Sequence, residues 1–350
     1  MSSEELAAVV ERSEQVITGT NTPSRTLKFG SYAVSAFRGG IGKSTLTFNL
    51  AYELSREKRL LLLDTCSQRN LSQGIFGDAL RDQTADIYKA LIAEMTNTKS
   101  PAVEDLAVRA NPYCPAFAGG KHVHMIPGSQ ELFLFPSLLY SQLAQYAQIA
   151  TAKTEASRRV LLTIANIASE AREYAKSETT LIDTSPFFGG ATHLAWCAAE
   201  ALIIPVRVDQ NSVEALKLTL QMLRDRHMDF HRFNDQAGIA HQPKVHAIVM
   251  THCGWNRQRA NTPDSTTKFF VQKSLELADE FAELFSEQDP SMCFYLLDDF
   301  HSAGRISGNQ RIPLSKLVAG KKYFVDGQRL EVNPSVGRYV REIANLAAAL

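Results

Sequence analysis

One nine-residue run constrains this chain more than any other: Phe37-Arg38-Gly39-Gly40-Ile41-Gly42-Lys43-Ser44-Thr45. An apolar segment (Tyr32, Ala33, Val34, Ala36) precedes it, and Leu46-Thr47-Phe48-Asn49-Leu50-Ala51 follows. Strand, glycine-rich turn and helix in that order are the setting of a phosphate-binding loop. Glycines let the backbone approach a polyphosphate, and its amide N–H groups then point at the oxygens. The positive end of the helix dipole strengthens the attraction. Lys43 can reach the outer phosphates, and the Ser44 hydroxyl can ligate Mg²⁺. Gly39, Gly40, Ile41, Gly42, Lys43, Ser44 and Thr45 are therefore the expected cradle of a nucleotide. A chance glycine turn would leave the Lys43-Ser44-Thr45 sequence without a reason.

The rest of the chain supplies the matching architecture. Strands are expected at 30–36, 59–64, 122–126, 179–183, 201–206, 245–250 and 293–297, with helical stretches at 43–56, 129–175, 212–230 and 264–287. Several strands are short continuous apolar runs such as Leu60-Leu61-Leu62-Leu63 and Ala247-Ile248-Val249-Met250. Runs of that kind suit strands buried on both faces of a parallel sheet. Alternation of such strands with helices predicts an α/β fold, a doubly wound, mainly parallel sheet flanked by helices.

Residues 1–28 read as an N-terminal extension, a short amphipathic helix over 4–17 followed by a polar linker over 18–26. The stretch 98–122, with three prolines and Gly119-Gly120, reads as an irregular loop, and 321–332 as a β-hairpin turned at Asp326-Gly327. Pro334 to Leu350 reads as a terminal packing helix.

Charge and cysteine usage exclude several classes. Lys plus Arg balances Asp plus Glu at 37 each, so no global field favours nucleic acid or an acidic membrane. Five dispersed cysteines fit reduced thiols rather than a disulfide frame or a zinc site. An acidic N-terminus and the absence of a long apolar run point to a soluble, cytoplasmic protein.

A phosphate loop needs a carboxylate at the end of a neighbouring strand to hold Mg²⁺ through its water shell. Two apolar strands end that way, Leu60–Leu63 at Asp64 and Thr180-Leu181-Ile182 at Asp183. Either aspartate alone would serve equally well as a helix cap. Together with the loop, both become candidate metal residues beside Ser44.

Four ordered segments then carry a resemblance. Arg38 to Thr45 resembles the deviant phosphate loop (KGGxGK[ST]T) of the ParA/MinD family of ATPases. Asp64-Thr65-Cys66-Ser67-Gln68-Arg69-Asn70 is similar to that family's DxDPQGN motif, and Leu181-Ile182-Asp183-Thr184-Ser185-Pro186 to its LIDxPP segment. Ala199 to Val206 is similar to its AADxxLIPV strand, and Met125 to Ser129 to a stretch of the partition members. The order holds from about residue 29 to 210 and persists more weakly to the C-terminus, which implies one P-loop ATPase domain over 29–350.

The resemblance implies an ATPase that works as a Mg-ATP-dependent switch, a homodimer with two ATP molecules sandwiched between subunits. It implies that Asp183 holds a metal-bound water and that Thr184 to Gly190 senses the γ-phosphate. Pro205 and Val206 would lie along the adenine, with Thr251 as a base contact. Two departures fall on chemistry. The family's signature lysine is Arg38, which could act in trans as an arginine finger or hold phosphate in cis. The aspartate that positions water is Cys66, and a neutral thiol cannot do that work. Slow hydrolysis is one expectation, with Gln68 as the substitute water-orienting group. Binding of ATP without turnover, in a dimer that recruits a protein partner, is the other. Lys43, Arg38, Asp64 and Gln68 are thus the catalytic candidates.

Partition members bind DNA through surface cations. Residues 305–342 carry eight Lys or Arg (from Arg305 to Arg341) and three acids, a local net charge of about +5 and a candidate contact for nonspecific DNA. An activating or cargo protein is implied as well. Residues 342–350 hold no cation, which argues against a membrane-targeting helix. The expected setting is a bacterial or archaeal cytoplasm, on the nucleoid if DNA is bound.

Overall fold

A computed structural model describes residues 2–20, 27–148, 153–256 and 262–350. Its strands are β1 (Ser31–Val34), β2 (Leu60–Asp64), β3 (Val108–Arg109), β4 (Val123–Ile126), β5 (Thr179–Asp183), β6 (Ala201–Arg207), β7 (Lys244–Cys253), β8 (Phe294–Asp298), β9 (Lys322–Val325) and β10 (Gln328–Glu331). The first eight form one sheet in the order β3-β4-β2-β5-β1-β6-β7-β8, parallel except for the β3–β4 pair. The doubly wound parallel sheet expected from the alternation is present, and Leu60 to Leu63 are buried completely between two helical layers.

Period-two geometry sends neighbouring side chains of β1 to opposite faces. Tyr32 and Val34 join one core with the helix Lys43–Ser55 and the C-terminal helix Val336–Ala349. Ala33 joins the other, under the helices Thr163–Ala175, Ala191–Ala198, Gln210–Arg224 and Ser265–Glu280. The helix that follows β1 thus covers one face, and those that follow β5 and β6 cover the other. Such a change of side opens a crevice at the carboxyl ends of the strands.

Several segments differ from expectation. The helical stretch 129–175 is divided into Phe135–Ala147, Lys153–Leu161 and Thr163–Ala175, and 212–230 into Gln210–Arg224 and Asp229–Gln236. The 98–122 stretch is not wholly irregular: β3 within it adds an antiparallel edge to β4. Val108 and Arg109 are too few to show a period in sequence. The N-terminal helix Ser2–Thr18 does not stand apart as an extension. Val9 and Ile17 are buried, and the helix packs on Ser265–Glu280, on the C-terminal helix and beside β8. Of the linker expected over 18–26, residues 21–26 lie outside the described residues. Asp326 (φ 50°) and Gly327 (φ 75°) turn the β9–β10 hairpin, a pair of left-handed residues that matches strand twist. Among the described residues, no helix is long and apolar enough to cross a membrane.

Candidate functional site

Two cavities of about 420 Å³ each flank the glycine loop at the carboxyl edge of the sheet, and Gly40, Gly42, Thr45 and Gly308 line both. Gly40 and Gly42 have φ of 72° and 86°, where a side chain is disfavoured. A Cβ at either would meet nothing within 4 Å. Gly42 also precedes the helix Lys43–Ser55 without any side-chain cap, so the first-turn amides are left for an oxygen-rich ligand.

Lys43 is buried and folds back on its own loop, donating from Nζ to the carbonyls of Arg38 (2.7 Å) and Ala36 (3.3 Å). Burial lowers its pKa, opposed by Asp183 and Cys66. An ammonium held against carbonyls is poised to exchange them for phosphate oxygens.

Ser44 donates its hydroxyl to Asp183 Oδ2 at 2.6 Å, and Thr47 Oγ1 lies 3.2 Å from Oδ1. Asp183 ends β5 directly beside Asp64 at the end of β2, and both are fully buried. Burial first, and the neighbouring Asp64 second, push the Asp183 pKa up to about 7. Burial raises Asp64 too. Two carboxylates so placed resist ionising together, and the donors decide which one keeps its charge. Asp64 accepts from Cys66 N–H (3.0 Å), Ser72 N–H (2.9 Å) and Ser72 O–H (2.7 Å), so the charge favours Asp64 and the proton Asp183.

Those three bonds also remove Asp64 from the direct role expected of it. Neither aspartate lines a cavity directly, but Asp183 is bonded to Ser44, which lines the first, whereas the Asp64 carboxylate pins the loop 65–72 to the sheet. Gly128 is glycine for the same reason, since a Cβ there would come within 2.9 Å of Asp64 Cγ. Cys66 and Gln68 do line the first cavity. Burial raises the pKa of the Cys66 thiol, which keeps it neutral where it lines the first cavity. Gln68 is exposed, and its Oε1 accepts from Asn70 Nδ2 at 3.2 Å.

Arg38 points elsewhere. Its guanidinium pairs with Asp209 at the start of the helix Gln210–Arg224 and donates to Ser212 Oγ at 2.8 Å, so it lines neither cavity. Pro205 and Val206 are likewise not brought to the site. Both are buried in β6 opposite Val249 and Met250, and β1 has already ended at Val34 beside Ile203, so the proline breaks no bond to β1. Of the expected base contacts Thr251 alone reaches the second cavity, where it is joined by His252, Asp298, Asp299, Phe300, His301 and Arg305. Asp298 and Asp299 follow an apolar run, the same signal that marked Asp64 and Asp183. Arg311, Ser307 and Gly308 line the first cavity from a helix (His301–Gln310) and its end that no motif marks.

Aromatic packing ties the loops together. Phe37, just before Arg38, stacks on Trp196 with ring centroids 5.6 Å apart, and Phe188 meets both rings at 5.2 and 6.0 Å.

The family model described as an AAA domain matches residues 31–232, more than half of the chain. The chain belongs to that family. It is a ParA/MinD-type P-loop protein, as its motifs and fold agree. Its structure is similar to apo McdA from Cyanothece (16% identity, TM-score 0.60, covering 89% of this chain and 97% of that one). It is also similar to a McdA variant from Cyanothece in complex with ATP (16%, 0.61, 93% and 96%). A plasmid partition protein from Borrelia burgdorferi bound to AMPPNP aligns at 16% identity and TM-score 0.52, over 93% and 97% of the two chains. In sequence it matches an uncharacterized protein of Methanocaldococcus jannaschii at 23% identity over 189 residues, 54% of this chain. The chain spans 62% of the length of that relative.

Proposed function

We propose that this protein is a Mg-ATP-dependent switch of the partition or positioning kind, which dimerises on ATP and hydrolyses it slowly. The observation that carries the reading is the cradle itself: open left-handed glycines, a buried Lys43 on exchangeable carbonyl partners, and Ser44 bonded to Asp183. The base enters the second cavity at Thr251 and Asp298, and the phosphates cross the loop into the first. Ser44 and Asp183 offer the hard oxygen donors that Mg²⁺ prefers, one of them through water. Bound there, the ion would neutralise the charge of the phosphates. With a cation there, Asp183 would serve as a carboxylate, since the positive charge would offset the burial and the Asp64 repulsion that favour its proton. Lys43 leaves its carbonyls for the terminal phosphates. Phe188 and Trp196 carry the change in the loop 184–190 to Phe37 and so to Arg38.

The neutral thiol of Cys66 supports slow turnover, because it can neither orient nor deprotonate water as a carboxylate does. It equally supports the second reading, an ATP-bound dimer that recruits a partner without turnover. Phosphate release separates them. Cys66→Asp is expected to raise ATP turnover by about tenfold or more. Turnover in the variant no higher than in the wild type removes Cys66 as the limit, and brisk wild-type hydrolysis does the same.

DNA is the proposed surface for the dimer, through fewer cations than the sequence suggests. Arg338 pairs with Asp298 at 3.1 Å, Lys316 donates to the Ala116 carbonyl, and Arg311 turns into the first cavity. Arg305 pairs with Asp326 at 3.7 Å, and Arg341 is exposed on the C-terminal helix rather than on the hairpin. On the hairpin, Lys321, Arg329 and Lys322, the last in a solvent-exposed pair with Glu331 (3.2 Å), are the cations proposed for phosphate contact.

A further inference from the structure

The lining of the first cavity extends beyond the glycine loop. It runs from Gly39–Ser44 past Phe48, one helical turn beyond Ser44, into a groove walled by Leu71, Gln73, Gly74 and Ser307, and closes on Arg311. Arg311 is partly buried, and among the described residues no carboxylate lies within ion-pair distance of it. Its Nη1 makes two long bonds, 3.4 Å each, to the carbonyls of Ile75 and Tyr113. No partner among the described residues takes its Nε or Nη2. The guanidinium lies against Gly77 at the end of the helix Asn70–Phe76, where an added Cβ would come within 2.5 Å of Nη1, and its remaining donors can take an anion.

Two glycines make the same point independently. Gly74 lies within the helix Asn70–Phe76 and Gly308 within His301–Gln310, where glycine is less favourable than alanine. Neither has a positive φ, and a Cβ on either would meet no atom within 4 Å. Neither backbone angle nor contact among the described residues calls for glycine there. Both line this cavity, so the space a methyl group would fill is space for a ligand.

We propose that the groove ending at Arg311 binds a second, small oxyanion-bearing molecule, a phosphate or a carboxylate, beside the nucleotide and distinct from it. Arg311 holds the anion, Gln73 supplies an amide from an exposed position, and the Gly74 and Gly308 backbones allow close approach. This site adds a ligand to the nucleotide reading and predicts that the bound state senses a metabolite as well as ATP.

The test uses the full-length protein saturated with Mg²⁺ and AMPPNP, with saturation checked for each variant. Inorganic phosphate and succinate are titrated calorimetrically in separate arms at constant ionic strength, which distinguishes the two anion classes. One of them is expected to bind with a stoichiometry of one per chain. Arg311→Gln should weaken that binding at least tenfold. Gly74→Ala should weaken it at least threefold while raising the melting temperature, an outcome that misfolding cannot produce. Failure of both anions to bind, or equal binding by Arg311→Gln, overturns the proposal. So does binding that AMPPNP abolishes, because the anion then merely occupies the Gly39–Thr45 cradle. Failure of AMPPNP itself to bind would count against the nucleotide reading, and titration of the free protein against Arg311→Gln would still decide this one.

Discussion

Replacing Asp183 with asparagine should stabilise the ligand-free protein at alkaline pH while weakening its response to Mg-ATP. In the unfolded chain this carboxyl ionises near its ordinary value of 3.8, whereas in the fold it ionises at about 7. A folded-state value raised above the unfolded one contributes stability that is complete below pH 4 and is lost as pH rises through 7. At about 1.4 kcal/mol per tenfold change in the equilibrium, a displacement of this size is worth on the order of 4 kcal/mol. Sharing of the proton with Asp64 reduces the part that belongs to Asp183 alone to roughly 2–4 kcal/mol. Denaturant unfolding of wild type and Asp183→Asn at pH 5.5 and 8.5, without nucleotide, reads the difference directly. Wild type should lose up to about 2 kcal/mol relative to the variant between the two pH values. Mg-ATP should offset that pH-dependent loss in the wild type and stabilise Asp183→Asn to a smaller extent. His193, with its pKa lowered to about 4 by burial, destabilises both proteins in acid and cancels in the comparison. Parallel pH profiles for the two proteins would refute the reasoning.

Asp209→Asn keeps the cap on Ser212 N–H (3.0 Å) but releases Arg38 from its ion pair. That half-exposed pair is worth about 0.5–1 kcal/mol, so ATP-dependent dimerisation should tighten roughly two- to fivefold by sedimentation. An unchanged dimer constant would mean that Arg38 does not cross to the partner. Lys321, Lys322 and Arg329 changed together to alanine should reduce the slope of log affinity for DNA against log salt by about 3. The same slope in the triple variant would move the DNA contact off the hairpin.

The glycine loop and the strand ends were legible because their chemistry is local. Gly40 and Gly42 need left-handed backbone, and a run of buried leucines before Asp64 needs a two-sided sheet. What a carboxylate does once it arrives was less legible. Asp64 and Asp183 look alike in sequence, yet three donors from residues 66 and 72 tie one of them to its own loop while the other is bonded to Ser44 at the cavity. Arg38 shows the same limit, since its ion pair depends on Asp209, 171 residues away. Pro205 and Val206 were read onto the adenine, but the register of β6 keeps them inside the sheet. Arg311 was legible only as one cation of the basic 305–342 stretch, because its place beside Gly74 and Gly308 comes from the cavity they line together.

Calorimetric titration of Mg-ATP into the wild type and into Lys43→Ala tests the central claim most directly. One ATP per chain is expected, with affinity that falls when Mg²⁺ is removed and binding lost in the variant by at least a hundredfold. Absence of ATP binding by the wild type, or equal binding by Lys43→Ala, would contradict it.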